Sequence, residues 1–162
     1  MKKTLEVLVG QIESSLSVID DLSRFITEFR TGELQSRGKD RVAALAVAQL
    51  LDSYYTAVET LFLRISQYFE NSLASNKWHS DLLEKMTITV PSYRPRVISR
   101  ETFELLRELM RFRHFNRYYL ELNFDWVKLD FLLSTRDRVH PKLMSEIAVF
   151  RAAVEQIARD AE

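Results

Sequence analysis

The sequence contains no cysteine and only three glycines and three prolines among its 162 residues. The absence of cysteine excludes a disulfide framework, a thiolate metal site and a cysteine nucleophile, and it fits a cytoplasmic protein. Few glycines and prolines leave few turn signals, whereas leucine, alanine, glutamate and arginine are plentiful. We therefore expect an all-α fold, and the length of the chain predicts one domain over residues 1–162.

Long apolar runs and the usual motifs for metals and nucleotides are also missing. No stretch approaches 18 apolar residues, so we expect no membrane-spanning helix, and polar side chains interrupt the first apolar run too early for a signal peptide. His79, His114 and His140 are not spaced as neighbours on a helix, and no acidic residue completes a ligand set with them. Since no glycine-rich phosphate loop or nucleophile elbow is present, we expect neither a metal nor another cofactor.

Apolar residues recur at three- and four-residue steps along most of the chain, which indicates amphipathic helices. The predicted helices cover residues 4–30, 40–71, 78–86, 100–119, 126–136 and a last segment that begins near residue 141. We expect them to form an antiparallel bundle of about five to six helices, led by the two long ones.

Polar turns and capping residues mark the predicted helix ends. The segment 31–40, bounded by two glycines, is predicted to be a polar turn, and residues 71–77 are predicted to form another. Ser99 and Asp125 are in position to cap the helices that follow them. Pro141 is expected in the first turn of a separate last helix, where its missing N–H is harmless.

Positive charge concentrates in one segment of a chain whose formal net charge is +0. Residues 94–117 contain 7 arginines and 3 glutamates, a net charge of +4. The block ends in RFRHFNRYYLELNFDW, residues 111–126, where aromatic residues stand between the cations. Arginine binds two phosphate oxygens at once through its planar guanidinium. The block therefore predicts either ion pairs that join helices, which charge alone favours, or an RNA-binding surface.

The helical repeat sorts the polar side chains of residues 100–119 onto separate faces. One face carries Arg107, Arg111, His114 and Tyr118, and another carries the i, i+4 pair Arg113 and Arg117. A face of arginine, histidine and tyrosine can bind phosphate and move a proton. The alternative is that the histidine and the tyrosine pack against other helices while the arginines pair with glutamates.

Several stretches resemble the HepT-like ribonuclease toxins of the HEPN superfamily. They are WHSDLLEKM, the segment from RPRVISRETFELLRELM to RFRHFNRYYLELNFDWVKL, and YYTAVETLFLRIS in the preceding helix. In that family a helix bearing RFRHFFRH-x-Y is followed by a connector and a DW pair or similar. The resemblance runs from about Leu45 to the last helix, and it implies an α-helical bundle that dimerises.

The resemblance also implies a metal-independent ribonuclease site with the motif Arg, four residues, His, one residue, Tyr. The arginine and the histidine of two protomers would meet in a cleft at the dimer interface. In this chain the motif arginine falls on Arg113, while Tyr118 stands at the histidine position and Leu120 at the tyrosine position. A looser spacing of the superfamily, Arg followed by six residues and His, occurs as Arg107 and His114.

The resemblance and the basic block together suggest roles for individual residues. Catalytic roles fall to Arg113, Tyr118 and His114, and RNA binding falls to Arg107, Arg111 and Arg117. The family implies a homodimer and a nucleotidyltransferase (MNT) antitoxin that modifies the motif tyrosine with AMP. Since tyrosine titrates near pH 10 and histidine near 6.5, we expect reduced cleavage of tRNA or mRNA. The alternatives are an inactive dimer that binds RNA or the antitoxin, and a purely structural helical module.

Overall fold

The structure, a computed structural model, describes residues 2–70 and 78–160, with side chains from residue 4 onwards. The turn predicted at 71–77 lies outside the described residues. Within them the chain forms α1 (Lys2–Thr31), α2 (Glu33–Arg37), α3 (Arg41–Glu70), α4 (Trp78–Lys85), α5 (Arg100–Tyr118) and α6 (Trp126–Asp160). These six described helices and the absence of strands among them confirm the predicted all-α bundle. None of them is long and apolar enough to cross a membrane.

The apolar stripes of the long helices meet in one core. α1 packs against α3 and α6, α5 packs against α3 and α6, and α4 covers α3 and α5. Fully buried side chains of this core include Ile12, Val58, Leu106, Leu132 and Ile147. Burying an aliphatic side chain of this size stabilises a fold by about 1.5–3 kcal/mol. Tertiary packing of these stripes therefore holds the helices in place more than intrinsic propensity does.

The segment 31–40 is not the simple polar turn predicted for it, because it contains the short helix α2. Gly32 donates its N–H to the carbonyl oxygen of Glu28 at 2.9 Å, which continues the hydrogen bonding of α1. Leu34 is buried, and its burial favours a helical turn over an open loop. Gly38 ends the helix with a φ of 81°, a left-handed conformation that glycine adopts without strain.

The two helices predicted before and after Pro141 are a single helix, α6, so the predicted break was wrong. A proline inside a helix removes one backbone hydrogen bond and costs about 3 kcal/mol. The apolar stripe of α6 nevertheless continues through this point, since Leu133, Val139 and Leu143 are all buried. Burial on both sides of the proline offsets the local penalty and keeps the helix continuous.

The predicted caps are present at the starts of α5 and α6. The Oγ of Ser99 accepts a hydrogen bond from the N–H of Thr102 at 3.2 Å, and the backbone of this serine is extended. The Oδ1 of Asp125 accepts a hydrogen bond from the N–H of Val127 at 2.9 Å. Fixed starting points determine which side chains of α5 and α6 face the neighbouring helices.

Arg94 holds the connection between α4 and α5. Its side chain is only 1% exposed, and it donates to the Oε1 of Glu70 at 2.8 Å. The same nitrogen donates to the carbonyl oxygen of Lys85 at 3.1 Å. Because Glu70 ends α3 and Lys85 ends α4, this buried guanidinium joins the two helix ends and fixes the end of α4 against α3.

Candidate functional site

Arg113 points from α5 towards α3, and its side chain is only 11% exposed. Its Nε donates to the Oγ1 of Thr56 at 2.8 Å and lies 3.7 Å from the Oδ1 of Asp52. Its Nη1 lies 3.2 Å from the Oε1 of Glu59. Residues three and four positions apart share one face of a helix, so α3 presents all three partners together. The guanidinium is therefore held in one orientation.

Glu59 connects Arg113 to a histidine from α4. The Oε2 of this nearly buried carboxylate lies 2.7 Å from the Nδ1 of His79, while its Oε1 faces the guanidinium. A carboxylate only accepts hydrogen bonds, so the proton of this contact belongs to Nδ1. A buried carboxylate needs such partners to offset the loss of hydration. The contact leaves Nε2 as the ring nitrogen of His79 available to another group.

The ring of His79 meets the ring of His114 on α5. The two centroids are 5.1 Å apart and the planes are inclined by 75°, while the ring of Trp78 covers another side of His79 at 3.6 Å. The ring of His114 is only partly buried, and this partial burial lowers its pKa below the ordinary value; the charge of His79 lowers the pKa further, and the carboxylate of Glu59 acts in the opposite sense. The neutral form of His114 therefore prevails at pH 7.

Asn116 extends this arrangement towards the end of α5, because its Nδ2 donates to the Oδ2 of Asp52 at 2.9 Å. We use the term polar cluster for Asp52, Thr56, Glu59, His79, Arg113, His114 and Asn116. Within the described part of the chain, no three His, Asp or Glu side chains are grouped so that they could hold a metal ion. The cluster therefore offers an arginine for anions and two imidazoles for proton transfer.

Tyr118, which the family pattern places at the motif histidine, does not reach the polar cluster. Its side chain is 78% exposed, and its hydroxyl makes no hydrogen bond with any residue that the structure describes. Leu120 is 87% exposed in the connection after α5. The neighbouring Tyr119 packs instead, with its ring 4.6 Å from that of Phe115. The structure thus brings Arg113 and His114 to the cluster and leaves Tyr118 at the surface.

Most arginines of the basic block, residues 94–117, form ion pairs, which is the alternative that the charge pattern favoured. Arg107 pairs with Glu104, and Arg111 pairs with Glu108 at 3.0 Å. Arg117 is exposed, and it forms no ion pair or hydrogen bond within residues 4–70 and 78–160. Of the three arginines predicted to bind RNA, only this one keeps its charge uncompensated by a neighbouring carboxylate.

A cavity of about 340 Å³ opens on another side of α5, towards α6. Arg111 and Lys128 contribute cations to its wall, Glu108 contributes a carboxylate that lies 3.0 and 3.9 Å from them, and Phe112 and Phe115 contribute aromatic rings. The side chain of Phe115 is 51% exposed. Cations beside an accessible aromatic ring are the elements with which proteins bind single-stranded nucleic acid.

His140 occupies a different environment, in the core between α1, α3 and α6. Its Nδ1 lies 3.0 Å from the hydroxyl of Tyr54, and its Nε2 lies 3.2 Å from the Oδ1 of Asp20. Both ring nitrogens therefore have protein partners. Burial lowers the pKa of His140, and the hydrogen bond with Asp20 opposes this shift. The role of this histidine is to join helices.

Glu59, Asp52 and His79 were absent from the residues predicted from the sequence. The two carboxylates gave a detectable signal, since they lie at helical spacing on a segment rich in tyrosine and leucine. A carboxylate on such a face is buried only with a partner. His79 gave no signal, because its neighbours belong to other helices and only the packing of α4 brings them together.

Comparisons with known proteins give one match. A family model described as HepT-like protein matches residues 46–154, a range that contains the whole polar cluster. No curated protein and no solved structure was found to match the chain.

Proposed function

Because the chain belongs to the HepT-like family of HEPN proteins, we propose that it is the toxin of a toxin–antitoxin pair and cleaves RNA without a metal ion. The observation that carries this proposal is the position of Arg113, held beside two imidazoles in the polar cluster. Tyr118 and Leu120 depart from the family motif. We therefore expect slower cleavage than from a chain with the motif histidine.

Arg113 and His114 have different roles at the scissile phosphate: the first binds it and the second accepts a proton. The guanidinium carries a permanent positive charge and suits phosphate oxygens. Glu59 and Asp52 are its partners in the structure, and a bound phosphate would compete with them for it. The neutral imidazole of His114 can accept the proton of a 2′-hydroxyl. The exposed Tyr118 is the weaker candidate for this step, because a phenol titrates near pH 10.

RNA would extend from the cluster along α5. Arg117 offers an uncompensated charge for the backbone, and the ring of Phe115 in the cavity offers a place for a base, while Glu108 partly neutralises the cations Arg111 and Lys128 of that wall. Stacking of one base on an aromatic side chain contributes about 1–3 kcal/mol. Arg107 contributes less, since Glu104 already neutralises it.

We further propose that the protein acts in the cytoplasm as a homodimer with α5 near the two-fold axis. The end of α5 and the connection after it expose Tyr118, Leu120 and Leu122, which a second copy could cover. A nucleotidyltransferase antitoxin is the expected partner of the dimer. Leu120 lacks the hydroxyl that this family offers for AMP. A monomeric mass by light scattering would contradict the homodimer.

A second function follows from two specific observations. The guanidinium of Arg113 is already paired with carboxylates, and Tyr118 stands at the motif histidine position. Both features favour a dimer that binds RNA or its antitoxin without cutting.

Incubation of the purified protein with total tRNA, with and without EDTA, separates these functions. We expect cleavage that persists in EDTA and is lost in Arg113→Ala. The control is Arg138→Ala, which changes an exposed arginine of α6 that has no ion pair within the described residues. A salt-dependent mobility shift without cleavage would support the second function. If the protein neither binds nor cleaves tRNA, the remaining alternative is a structural helical module.

A further inference from the structure

Two histidines meet at the polar cluster, and neither stands at the histidine position of the motif that begins at Arg113; His114 fits only the looser spacing with Arg107. His79 comes from α4 and His114 from α5, and their rings are in edge-to-face contact at 5.1 Å. Cleavage of RNA through its 2′-hydroxyl requires one group that accepts a proton and another that donates one. His114 alone supplies only one of them.

The hydrogen bonding of His79 differs from that of a histidine with a purely structural role. The structural case in this chain is His140, whose two ring nitrogens both have protein partners, the buried Tyr54 and the half-exposed Asp20. His79 uses only Nδ1, which faces the carboxylate of Glu59 at 2.7 Å. Its Nε2 has no hydrogen bond with the described residues, although the side chains of His79 and His140 are equally exposed, at 16%. The carboxylate therefore orients this nitrogen, and none of the described residues uses it as a hydrogen-bond partner.

The carboxylate of Glu59 also places His79 beside the guanidinium that would hold the phosphate. One oxygen faces His79 and the other faces Arg113, so the imidazole and the guanidinium are neighbours across a single side chain. The imidazolium form of His79 is an ion pair with this carboxylate. The ring of His114, in contrast, makes no hydrogen bond within the described part of the chain.

We infer that His79 is a catalytic residue of this site, the general acid that works with His114 as the general base. This inference rests on the ribonuclease function proposed above and adds to it the proton-transfer group that Tyr118 does not supply.

The step conserves atoms and charge. The 2′-oxygen of a ribose attacks the adjacent phosphorus while its proton passes to His114. The bond from phosphorus to the 5′-oxygen of the next nucleotide breaks, and that oxygen takes a proton from His79. The products are a 2′,3′-cyclic phosphate and a 5′-hydroxyl. His114 leaves as imidazolium and His79 as neutral imidazole, and exchange with water restores both.

A substrate with sulfur in place of the 5′-bridging oxygen tests the assignment, because a thiolate leaves without protonation. We expect His79→Gln to slow cleavage of ordinary RNA by about 10²–10⁴-fold and to cleave the sulfur-substituted RNA at close to the parent rate. His114→Gln should be slow on both substrates. Ser80→Ala, which changes an exposed neighbour on α4, is the control and should match the parent.

Each outcome has a defined meaning. Recovery of His79→Gln on the sulfur substrate also shows that this variant is folded. Parent-level cleavage of ordinary RNA by His79→Gln would overturn the inference while leaving the proposed function intact. Slow cleavage of both substrates by His79→Gln would overturn its role as general acid. A parent chain that cleaves no RNA would overturn the proposed function and this inference with it.

A second measurement does not depend on activity. The charges that face His114 are those of His79 from α4, Glu59 from α3, and Arg113 and Arg117 from α5. Since the charge of His79 lowers the pKa of His114, we expect His79→Gln to raise the NMR titration midpoint of His114. An unchanged midpoint would show that the two rings do not interact and would overturn the pairing.

Discussion

The Oε2 of Glu59 lies 2.7 Å from the Nδ1 of His79, so a carboxylate of α3 fixes an imidazole of α4. Through its other oxygen this carboxylate also faces Arg113 of α5. Glu59 of α3 thus contacts charged or polar side chains of both α4 and α5, and its own side chain is only 7% exposed. Replacing Glu59 by glutamine, which has nearly the same shape but no charge, measures how much this negative charge contributes to stability.

Glu59→Gln is expected to lower the free energy of unfolding by about 1–3 kcal/mol, because it leaves the buried guanidinium of Arg113 without its nearest carboxylate. Urea denaturation measures the change. The matched control is Glu84→Gln on α4, whose exposed pair with Arg100 spans 3.8 Å and should contribute less than about 0.5 kcal/mol. Equal losses in the two variants would contradict a special role for the buried carboxylate.

Arg117→Ala should weaken RNA binding in proportion to the loss of one phosphate contact. We expect a uniform loss of affinity for all single-stranded RNAs, and a slope of log affinity against log salt smaller by about 0.7. Arg111→Ala is the control on the same helix, and its effect should be smaller because Glu108 already neutralises that charge. Fluorescence titration at several salt concentrations gives both slopes. A larger effect from Arg111 would place the RNA over the cavity rather than over the end of α5.

Tyr118→His should increase the rate of tRNA cleavage, because it places a group with a pKa near neutrality at the motif position, which the proposed homodimer would bring into the cleft between the two protomers. The side chain is 78% exposed in the single protomer, so the change should alter the stability of the protomer fold by no more than about 0.5 kcal/mol. Tyr118→Phe is the control and should cleave like the parent. Adding Leu120→Tyr should create an acceptor for AMP from the antitoxin, which mass spectrometry detects. An unaltered cleavage rate at an unaltered melting temperature would show that position 118 does not reach the scissile phosphate.

Stability should fall as the pH falls through the ordinary pKa of histidine, about 6.5. The pKa of His140 is lowered in the folded state, chiefly by burial, so the unfolded chain takes up the proton first. The folded state therefore loses stability from about pH 6.5 downwards, until the lowered pKa is reached. Protonation of Nδ1 would also remove the acceptor that the Tyr54 hydroxyl uses.

Thermal melts from about pH 7.5 to about pH 5.5 measure this dependence. His140→Gln should show a smaller drop in melting temperature over this range than the parent. His114→Gln is the comparison, because the pKa of His114 is lowered in the same direction and contributes with the same sign. The same pH dependence in His140→Gln as in the parent would contradict the assignment to His140.

Pro141→Ala should stabilise the protein. Alanine restores the backbone N–H inside α6 and is about 3 kcal/mol more favourable than proline in a helix interior, although proline also restricts the unfolded chain. We expect a net gain of roughly 1–2 kcal/mol in urea denaturation. A loss of stability would show that the shape of α6 at the proline is needed to seat the neighbouring His140 against Asp20.

The sequence by itself determined the class of fold and the ends of several helices. Apolar residues at three- and four-residue steps predict amphipathic helices because this spacing forms one face, and the all-α bundle is confirmed. Ser99 was predicted as a cap from its chemistry alone, and its Oγ accepts the N–H of Thr102. These features depend on neighbours within a few residues, which a sequence displays directly.

Tertiary packing overruled the local signals in two places. The glycine-bounded segment 31–40 forms α2 around the buried Leu34, and α6 continues through Pro141. In both cases a residue that disfavours helix, glycine or proline, competes with the burial of apolar side chains against other helices. This burial depends on residues that are distant in sequence, so the local signal gave the wrong helix boundary.

The candidate site likewise combines residues that were predicted from the sequence with one that only the tertiary structure showed. Arg113 and His114 were predicted as site residues from the sequence because they stand next to each other on one helix with a recognisable motif, and the structure places both in the polar cluster. Only the tertiary structure brought His79 to them, because α4 packs against both α3 and α5 and Arg94 joins its end to the end of α3. The spacing of histidines along the chain carries no information about this contact, since it arises from the packing of helices whose shared core fixes their relative positions.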